Sequence, residues 1–544
     1  MKSLSPGRSL FLFCLAAYLL SMGGHLYSAD DEIKALVTEG IVERHSVALP
    51  TFNMIYMSVG VNRQSYSPFP VGSSLTMIPF YLIGDALSNV FTSLPRPIIL
   101  EFCYSLVNPL VTAVTAFLFF SLCQLLAYSV RTSLLTTLVY AFCTTAWPYA
   151  KTVWSEPQAT LGVLLGLYGV VHYLKSGKTK WLVCSGGGLA YACITKYEMG
   201  LCVFGCSYLL IHHLVYQTQA PFRRRMVALL AYGAPLVAGG VVALGYNYVR
   251  FGSWTVFGNY LPDVANQVGQ PNPILDSLEG IVVGVYQRLF STGKGILLFS
   301  PPLIMFYWAV KLFYREQRDL AQVTVGLTTA FLVITGAFWA MSNMAWGDRY
   351  YLPLTPLLVL PLASLVRSLV DVGSDYMKRS FVTLCLIGIG IQMLGVSINF
   401  QTVIDQQLAN GETVGLQARS YDPEYSSVLL HLKEVLNRTG DTWDLVRLGR
   451  KPFLDEKLRQ AGIDASETVD QKAFRDVIRY HTFDYWFCYM YFTGVSAWLI
   501  LVPMALLLLT LVYSGRRLMQ IFFQTQSAEV ERRPPPPTSA LAVP

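Results

Sequence analysis

Apolar stretches long enough to cross a bilayer recur along this chain from Leu10 to Tyr513, and a soluble fold has no interior large enough to hide so many of them. A membrane helix needs about 20 residues. Stretches of that order lie near 9–26, 101–128, 132–149, 157–174, 181–197, 199–216, 226–248, 295–312, 321–342, 350–367, 380–399 and 491–513. With 53 % hydrophobic and only 13 % charged residues in 544, the segments between them are short. The expected fold class is therefore all-α: a polytopic integral membrane protein of about 12 transmembrane helices.

A further apolar stretch, 73–91, is interrupted by Pro79, Gly84 and Asp85, and charge bias decides whether it crosses. If it does not, Arg131, Lys175, Lys178, Lys180, Arg223 to Arg225, Lys311, Arg315, Arg318, Arg367, Lys378, Arg379, Arg516 and Arg517 all fall on the side of Lys2 and Arg8. If it does, every later cluster moves to the wrong face, against the positive-inside rule. The stretch is thus expected to lie in or re-enter the interface, so that interfacial helices occupy the first outer loop, 27–100. Lys2 and Arg8 ahead of the first run also suit a secretory signal cut near Tyr27-Ser28-Ala29, but the run is longer than a signal core, and an uncleaved first span is expected.

This topology divides the chain into a transmembrane core, 1–400, a non-cytoplasmic loop or small outer cap, 401–490, a last transmembrane helix, 491–513, and a disordered cytosolic tail, 514–544, with its Pro534 to Pro537 run. The net charge of +7 is scattered between apolar runs and is no nucleic-acid footprint. Ten cysteines form neither a disulfide framework nor a zinc spacing. No glycine-rich phosphate cradle appears, which argues against nucleotide-driven transport. The 401–490 segment is too short and charge-rich for a separate enzyme.

Unusual residues collect on the outer face. Asp30, Asp31 and Glu32 follow the first span directly, and three adjacent acids repel one another and resist desolvation. A solvated loop that keeps this end out of lipid is the plain explanation. Glu156 adds an acid, and Arg63, Lys196, Arg250, Lys294 and Arg349 add cations on the same side. A carboxylate facing cations at a membrane-surface cavity suits a reaction on a lipid-linked phosphate: the cations hold the phosphate and the departing charge, and the carboxylate takes a proton from an acceptor hydroxyl. For each cation singly, interfacial anchoring explains its place as well. The acids also suit a divalent metal, but no second Asp-x-Asp cluster lies on this face, and no metal or other cofactor is expected. Tyr66, Tyr81, Tyr350 and Tyr351 suit an interfacial aromatic belt.

Asp31-Glu32 after a first span, Tyr66-Ser67-Pro68-Phe69-Pro70-Val71-Gly72 leading into Ile78 to Gly84, Gly186 to Ala190 ending in Thr195-Lys196-Tyr197, Tyr246 to Ser253, and Trp346 to Pro353 together cover most of residues 1–370. In this order they resemble the GT-C superfamily of polytopic glycosyltransferases that use polyprenyl-phosphate-linked sugars, of the dolichyl-phosphate-mannose-mannosyltransferase-like kind. The resemblance implies a catalytic acid in the first outer loop, a donor entering from the membrane, and inversion at the anomeric carbon. By position, Asp31 matches the first acid of the family's Asp-Glu pair, with Asp30 the alternative because the extra acid here shifts the match by one. Glu32 completes the acidic set. Lys196 and Arg250 would sit toward the donor phosphate, with Arg349 and Arg63 as further phosphate contacts and Glu156 and Tyr66 as other candidates. Where the family carries a Lys-Pro-Pro type element, this chain has Tyr66-Ser67-Pro68.

The expected protein is a membrane hexosyl- or pentosyltransferase of the bacterial cell envelope. Its site would face the periplasm from the inner membrane, and its partners would be the lipid-linked donor, the bilayer and a glycan, lipid or protein acceptor, with no nucleic acid. A carrier or flippase for a lipid-linked sugar would use the same cations without catalysis. Such transporters commonly show repeated halves and broken mid-membrane helices, and the sequence shows neither. A scaffold displaying the 401–490 cap is the third reading.

Overall fold

The computed structural model describes residues 5–50, 57–258, 278–338, 345–371, 374–409, 426–460 and 477–531, with 423 and 462. The proline run at 534–537 lies outside the described residues. The first eleven helices are α1 (Pro6–Ser21), α2 (Ala29–Glu43), α3 (Gly72–Val90), α4 (Arg96–Ser105), α5 (Val107–Leu125), α6 (Val130–Phe142), α7 (Ala146–Ala150), α8 (Ser155–Ser176), α9 (Lys180–Thr195), α10 (Gly200–His212) and α11 (Phe222–Phe251). Longer helices that follow are Leu278–Phe290, Phe306–Glu316, Arg318–Phe338, Leu362–Asp371, Asp375–Ser397, Ser427–Leu448, Arg450–Gln460 and Ala497–Glu531. The all-α expectation holds for this integral membrane protein, apart from one small sheet.

Among the described residues six helices are long and apolar enough to cross a membrane: Arg96–Leu125, Tyr197–Gln217, Phe222–Phe251, Arg318–Gly336, Asp375–Ser397 and Ala497–Thr525. The pair Arg349–Val359 and Leu362–Asp371, bent by 41°, makes a seventh if it is one span. Single long helices therefore do not reproduce the expected twelve, for local reasons. α1 and α6 have 16 and 13 residues. The 295–312 stretch is broken at Pro301 and Pro302, since proline lacks the amide a continuing helix needs, into Ile296–Phe299, Pro301–Met305 and Phe306–Glu316.

The 73–91 stretch is the 19-residue helix α3, with Pro79 inside it. Its Asp85 pairs with Arg96 at 3.0 Å, and its Tyr81 hydroxyl accepts from Arg96 at 2.7 Å, which folds α3 back on α4. The segment expected to form the first outer loop also holds an antiparallel sheet, β1 (Ala48–Leu49), β2 (Ser58–Val59) and β3 (Ser65–Tyr66), in order β1-β3-β2 with Tyr66 opposite both Ala48 and Ser58.

α8 and α9 form a close antiparallel pair, and glycine explains the closeness. A Cβ on Gly162 would meet Gly188 O at 2.6 Å, and one on Gly169 would meet Trp181 O at 2.5 Å. Small residues let membrane helices approach backbone to backbone. The seam brings the N-terminus of α8, with Glu156, beside the C-terminus of α9, with Lys196. Each charge also lies at the favourable end of its own helix dipole.

Candidate active site

The three acids occupy the first turn of α2, where unpaired amides and the helix dipole favour negative charge. This local physics supplies part of the reason for them. Ser28 stands at the capping position, but its hydroxyl accepts from Trp154 Nε1 at 2.8 Å and does not cap the helix. Asp31 turns inward and accepts from the Tyr27 amide through Oδ2 at 3.3 Å.

Asp31 is wholly buried, and its Oδ1 has no hydrogen-bond partner, although Lys34 Nζ stands 3.7 Å away. Lys34 is held from the next layer: Ser74 Oγ of α3 donates to its carbonyl at 3.0 Å, and Thr38 Oγ1 donates to Ser74 O at 3.0 Å. Burial pushes the Asp31 carboxyl from 3.8 up to about 7; Lys34 and the Tyr27 amide oppose this, while the neighbouring charges Asp30 and Glu156 add to it.

A chain of ion pairs runs from these acids. Asp30 accepts from Arg349 at 3.3 Å, Arg349 Nε lies 3.9 Å from Glu156, and Glu156 accepts from Lys196 at 2.8 Å, with Glu198 also 3.3 Å from Lys196. Burial works against a charged Lys196, but Glu156 and Glu198 outweigh it and hold the ammonium above the ordinary lysine range. Aromatic faces back the cations: Arg349 sits 4.4 Å over Trp154 and 5.2 Å over Tyr350, and Lys196 sits 5.0 Å over Tyr350.

Arg349 is aimed by the turn before it. Gly347 has φ +62°, a conformation that side chains rarely adopt, with Phe299 packed against it. The Trp346 carbonyl accepts from Tyr149 at 2.9 Å, and Asp348 pairs with buried Arg288 at 2.6 Å. On the other wall, Asn108 Nδ2 donates to Thr152 O at 2.7 Å and to Trp154 O at 2.8 Å, fixing the segment before Glu156.

Of the residues singled out in the sequence, Asp30, Asp31, Glu156, Lys196 and Arg349 meet here. Glu32, in the same turn, is exposed. Arg250, expected toward the phosphate, is instead fully buried and gives its N–H groups to Ser67 O, Phe69 O at 3.2 Å and Asn247 Oδ1 at 2.7 Å, so it clamps the 65–70 segment to α11. Arg63 stands exposed at φ +56° in the turn before β3, outside the cluster. Tyr66 is buried and bonds Gln64 at 3.2 Å. Lys294 is half-buried after the helix Leu278–Phe290, where its amide donates to Ser291 Oγ at 3.0 Å. Tyr350 backs both Lys196 and Arg349 and so forms part of the site's wall. Among the described residues no group of three or more His, Cys, Asp or Glu is arranged to hold a metal.

Sequence reasoning missed Lys34, although its spacing of three from Asp31 on a helix was a usable signal. It also missed a second buried cluster. Asp484 accepts from His25 Nε2 at 2.7 Å, the Tyr27 hydroxyl at 2.7 Å and Lys151 Nζ at 2.6 Å. Lys151 also donates to Val396 O at 2.8 Å, and the Asp484 amide donates to Ser397 O at 2.9 Å. Burial alone would raise the Asp484 carboxyl, but Lys151 and His25 hold it far below the carboxylate range. Tyr27 belongs to both clusters, through its hydroxyl to Asp484 and its amide to Asp31. Asp484, near the end of the 401–490 segment, is thus tied to the core beside Asp31.

No family model matches the chain, and no curated protein sequence does. Fourteen chains among solved structures match it. One is the crystal structure of ArnT from Cupriavidus metallidurans bound to undecaprenyl phosphate, with 14 % identity, TM-score 0.43, and coverage of 92 % of this chain and 76 % of that one. Another is the same protein in the apo state, with 13 % identity, TM-score 0.42, and coverage of 88 % and 74 %. Identity at that level transfers no residue role from one chain to the other.

Proposed function

We propose that this protein is an inverting glycosyltransferase that moves a sugar from a polyprenyl-phosphate carrier to an acceptor at the non-cytoplasmic face. The observation that carries the reading is the buried Oδ1 of Asp31, which has no hydrogen-bond partner and faces only the Lys34 ammonium at 3.7 Å, its carboxyl raised to about 7 and one residue from the Asp30, Arg349, Glu156 and Lys196 chain. A general base works best when its pKa lies near the working pH. The motif order resembling GT-C enzymes supports the same substrate class.

In this reading Asp31 takes the proton of the acceptor hydroxyl. The freed oxygen attacks the anomeric carbon, the bond from that carbon to the phosphate oxygen breaks, and the carrier phosphate leaves with the electron pair. Lys196, Arg349 and Lys34 stabilise that charge in a water-poor site. Glu156 positions the first two and is not itself the base. The active site would face the periplasm from a bacterial inner membrane.

The test incubates purified protein in membranes with undecaprenyl-phosphate-linked pentose and hexose carrying a radiolabel, and follows free undecaprenyl phosphate and labelled acceptor. Transfer by the wild type and its loss in Asp31→Asn, with normal membrane insertion, is the expected result. Full transfer by both Asp30→Asn and Asp31→Asn removes these acids from the mechanism. Movement of intact donor across vesicles without release of carrier phosphate makes the protein a carrier.

A further inference from the structure

A cavity of about 1170 Å³ lies within the helix bundle, bounded by α1, α6, Leu362–Asp371, Asp375–Ser397 and Ala497–Glu531. That is as large as the biggest ordinary ligand pockets. Its lining is apolar along almost its whole length, and one flank is open, since Val382, Leu386 and Leu508 are each about half exposed or more. Among the described residues, the only charged ones lining it are two cations, Arg131 and Lys378.

Both cations begin helices. Arg131 is the second residue of α6, capped by Ser129, whose hydroxyl accepts from Thr132 N at 3.2 Å. Lys378 lies in the first turn of Asp375–Ser397, capped by Ser374, whose hydroxyl accepts from Met377 N at 3.3 Å. Two helix N-termini and two cations therefore meet at one mouth, a combination that favours an anion. Neither cation is strongly paired. Arg131 Nε is buried without a hydrogen-bond partner while its guanidinium rests 4.5 Å over Phe522. Lys378 lies 4.0 Å from an Asp375 side chain that is 84 % exposed.

This mouth is at the opposite end of the bundle from the acid cluster. α6 runs from Arg131 toward α7 and Lys151, and Asp375–Ser397 runs from Lys378 to Ser397, whose carbonyl accepts from Asp484. The latter helix, 23 residues long, spans about 35 Å. A donor whose phosphate reacts at Asp31 cannot place that phosphate beside Arg131. We propose that the cavity holds an anionic glycerophospholipid, its acyl chains along the apolar lining and its phosphate at Arg131 and Lys378. Basic pockets between membrane helices recognise anionic headgroups in this way.

The full-length protein in detergent, titrated separately with phosphatidylglycerol and phosphatidylcholine and read by native mass spectrometry, tests this. Phosphatidylglycerol is expected to be retained at least 5-fold more than phosphatidylcholine, corresponding to about 1 kcal/mol. The preference should vanish in Arg131→Gln/Lys378→Gln. The single variant Lys378→Gln, at a partly exposed position, should reduce it if the double variant does not fold. Filling the cavity with Cys385→Trp should lower retention of both lipids. Equal retention of the two lipids by the wild type, or an unchanged preference in Lys378→Gln and the double variant, overturns the proposal. So does one-for-one displacement of bound phosphatidylglycerol by undecaprenyl phosphate, which would make the cavity a carrier site.

Discussion

Glu156, the second residue of α8, and Lys196, the residue that closes α9, pair at 2.8 Å within the protein. Removing one partner of a buried pair leaves an uncompensated charge, at a cost of about 3–5 kcal/mol. Lys196→Met should therefore lower the Tm as well as the activity, and activity alone cannot separate the two roles. The double variant Glu156→Gln/Lys196→Met should regain most of the Tm. Its transfer rate should stay at least about 100-fold down, because the cation proposed to stabilise the departing phosphate is gone. Thermal unfolding and kcat/KM on the same preparations check this, and recovery of both together would assign Lys196 a purely structural role.

With Asp31 as the proposed base, its position sets the pH dependence expected for transfer. A base must be deprotonated to act, so with a carboxyl raised to about 7 the rate should climb as pH rises through about 7 and then level. Asp30 is among the charges that raise it, so Asp30→Asn should shift the climb to lower pH while transfer persists. Loss of transfer in Asp30→Asn, with a normal climb in Asp31→Asn, would exchange their roles. A pH–rate profile of each variant decides.

The same elevation has the opposite consequence for stability. The folded carboxyl holds its proton up to about 7 while the unfolded one loses it near 3.8, so between those values the folded state binds more protons and stability falls as pH rises. Asparagine carries no such charge. Asp31→Asn should therefore abolish transfer yet melt higher than the wild type at pH 8, with little difference at pH 4. A lower Tm for the variant at pH 8 would show that the buried charge is compensated in a way the Lys34 distance does not indicate.

The apolar periodicity made the helical membrane class legible, and the charge bias kept α3 from being read as an ordinary span. The acids and cations expected on the outer face could be recognised because charge beside a membrane helix is costly wherever it occurs. What spacing could not tell was which cation meets which acid. Arg250 and Lys196 looked equivalent in the chain, yet Arg250 donates to the carbonyls of Ser67 and Phe69, 183 and 181 residues earlier. Asp484 escaped notice for the same reason: its partners His25, Tyr27 and Lys151 are more than 300 residues away, and nothing near Asp484 marks it as buried.

Asp484 gives a test of how the late segment supports the early loop. Asp484→Asn keeps the shape but removes the charge facing Lys151, so it should destabilise by a few kcal/mol. Through Tyr27 it should also loosen the amide that Asp31 accepts. The expected signature is a fall in kcat together with a shift in the pH midpoint of transfer, which simple loss of folded protein would not produce. A variant with lower yield but wild-type kcat and midpoint per folded molecule would limit Asp484 to holding the segments together.

The glycine seam between α8 and α9 predicts action from a distance. A Cβ on Gly188 would meet Gly162 O and Leu165 Cβ at 2.9 Å and Gly166 N at 3.0 Å, and a backbone neighbour cannot swing aside as a side-chain tip can. Gly188→Ala must therefore push the two helices apart. Lys196 lies eight residues further on, about 12 Å along the axis, so a separation opened at Gly188 is carried to the Glu156 pair. Gly187 is the internal control, since a Cβ there meets nothing within 4 Å and alanine favours a helix by up to about 1 kcal/mol. Gly187→Ala should leave kcat/KM unchanged with an equal or higher Tm. Gly188→Ala should lose both, and Gly162→Ala, whose Cβ would meet Gly188 O at 2.6 Å, should resemble it. Wild-type transfer in both seam variants would mean that Lys196 and Glu156 are held by their own ion pair and not by the approach of the helices that carry them.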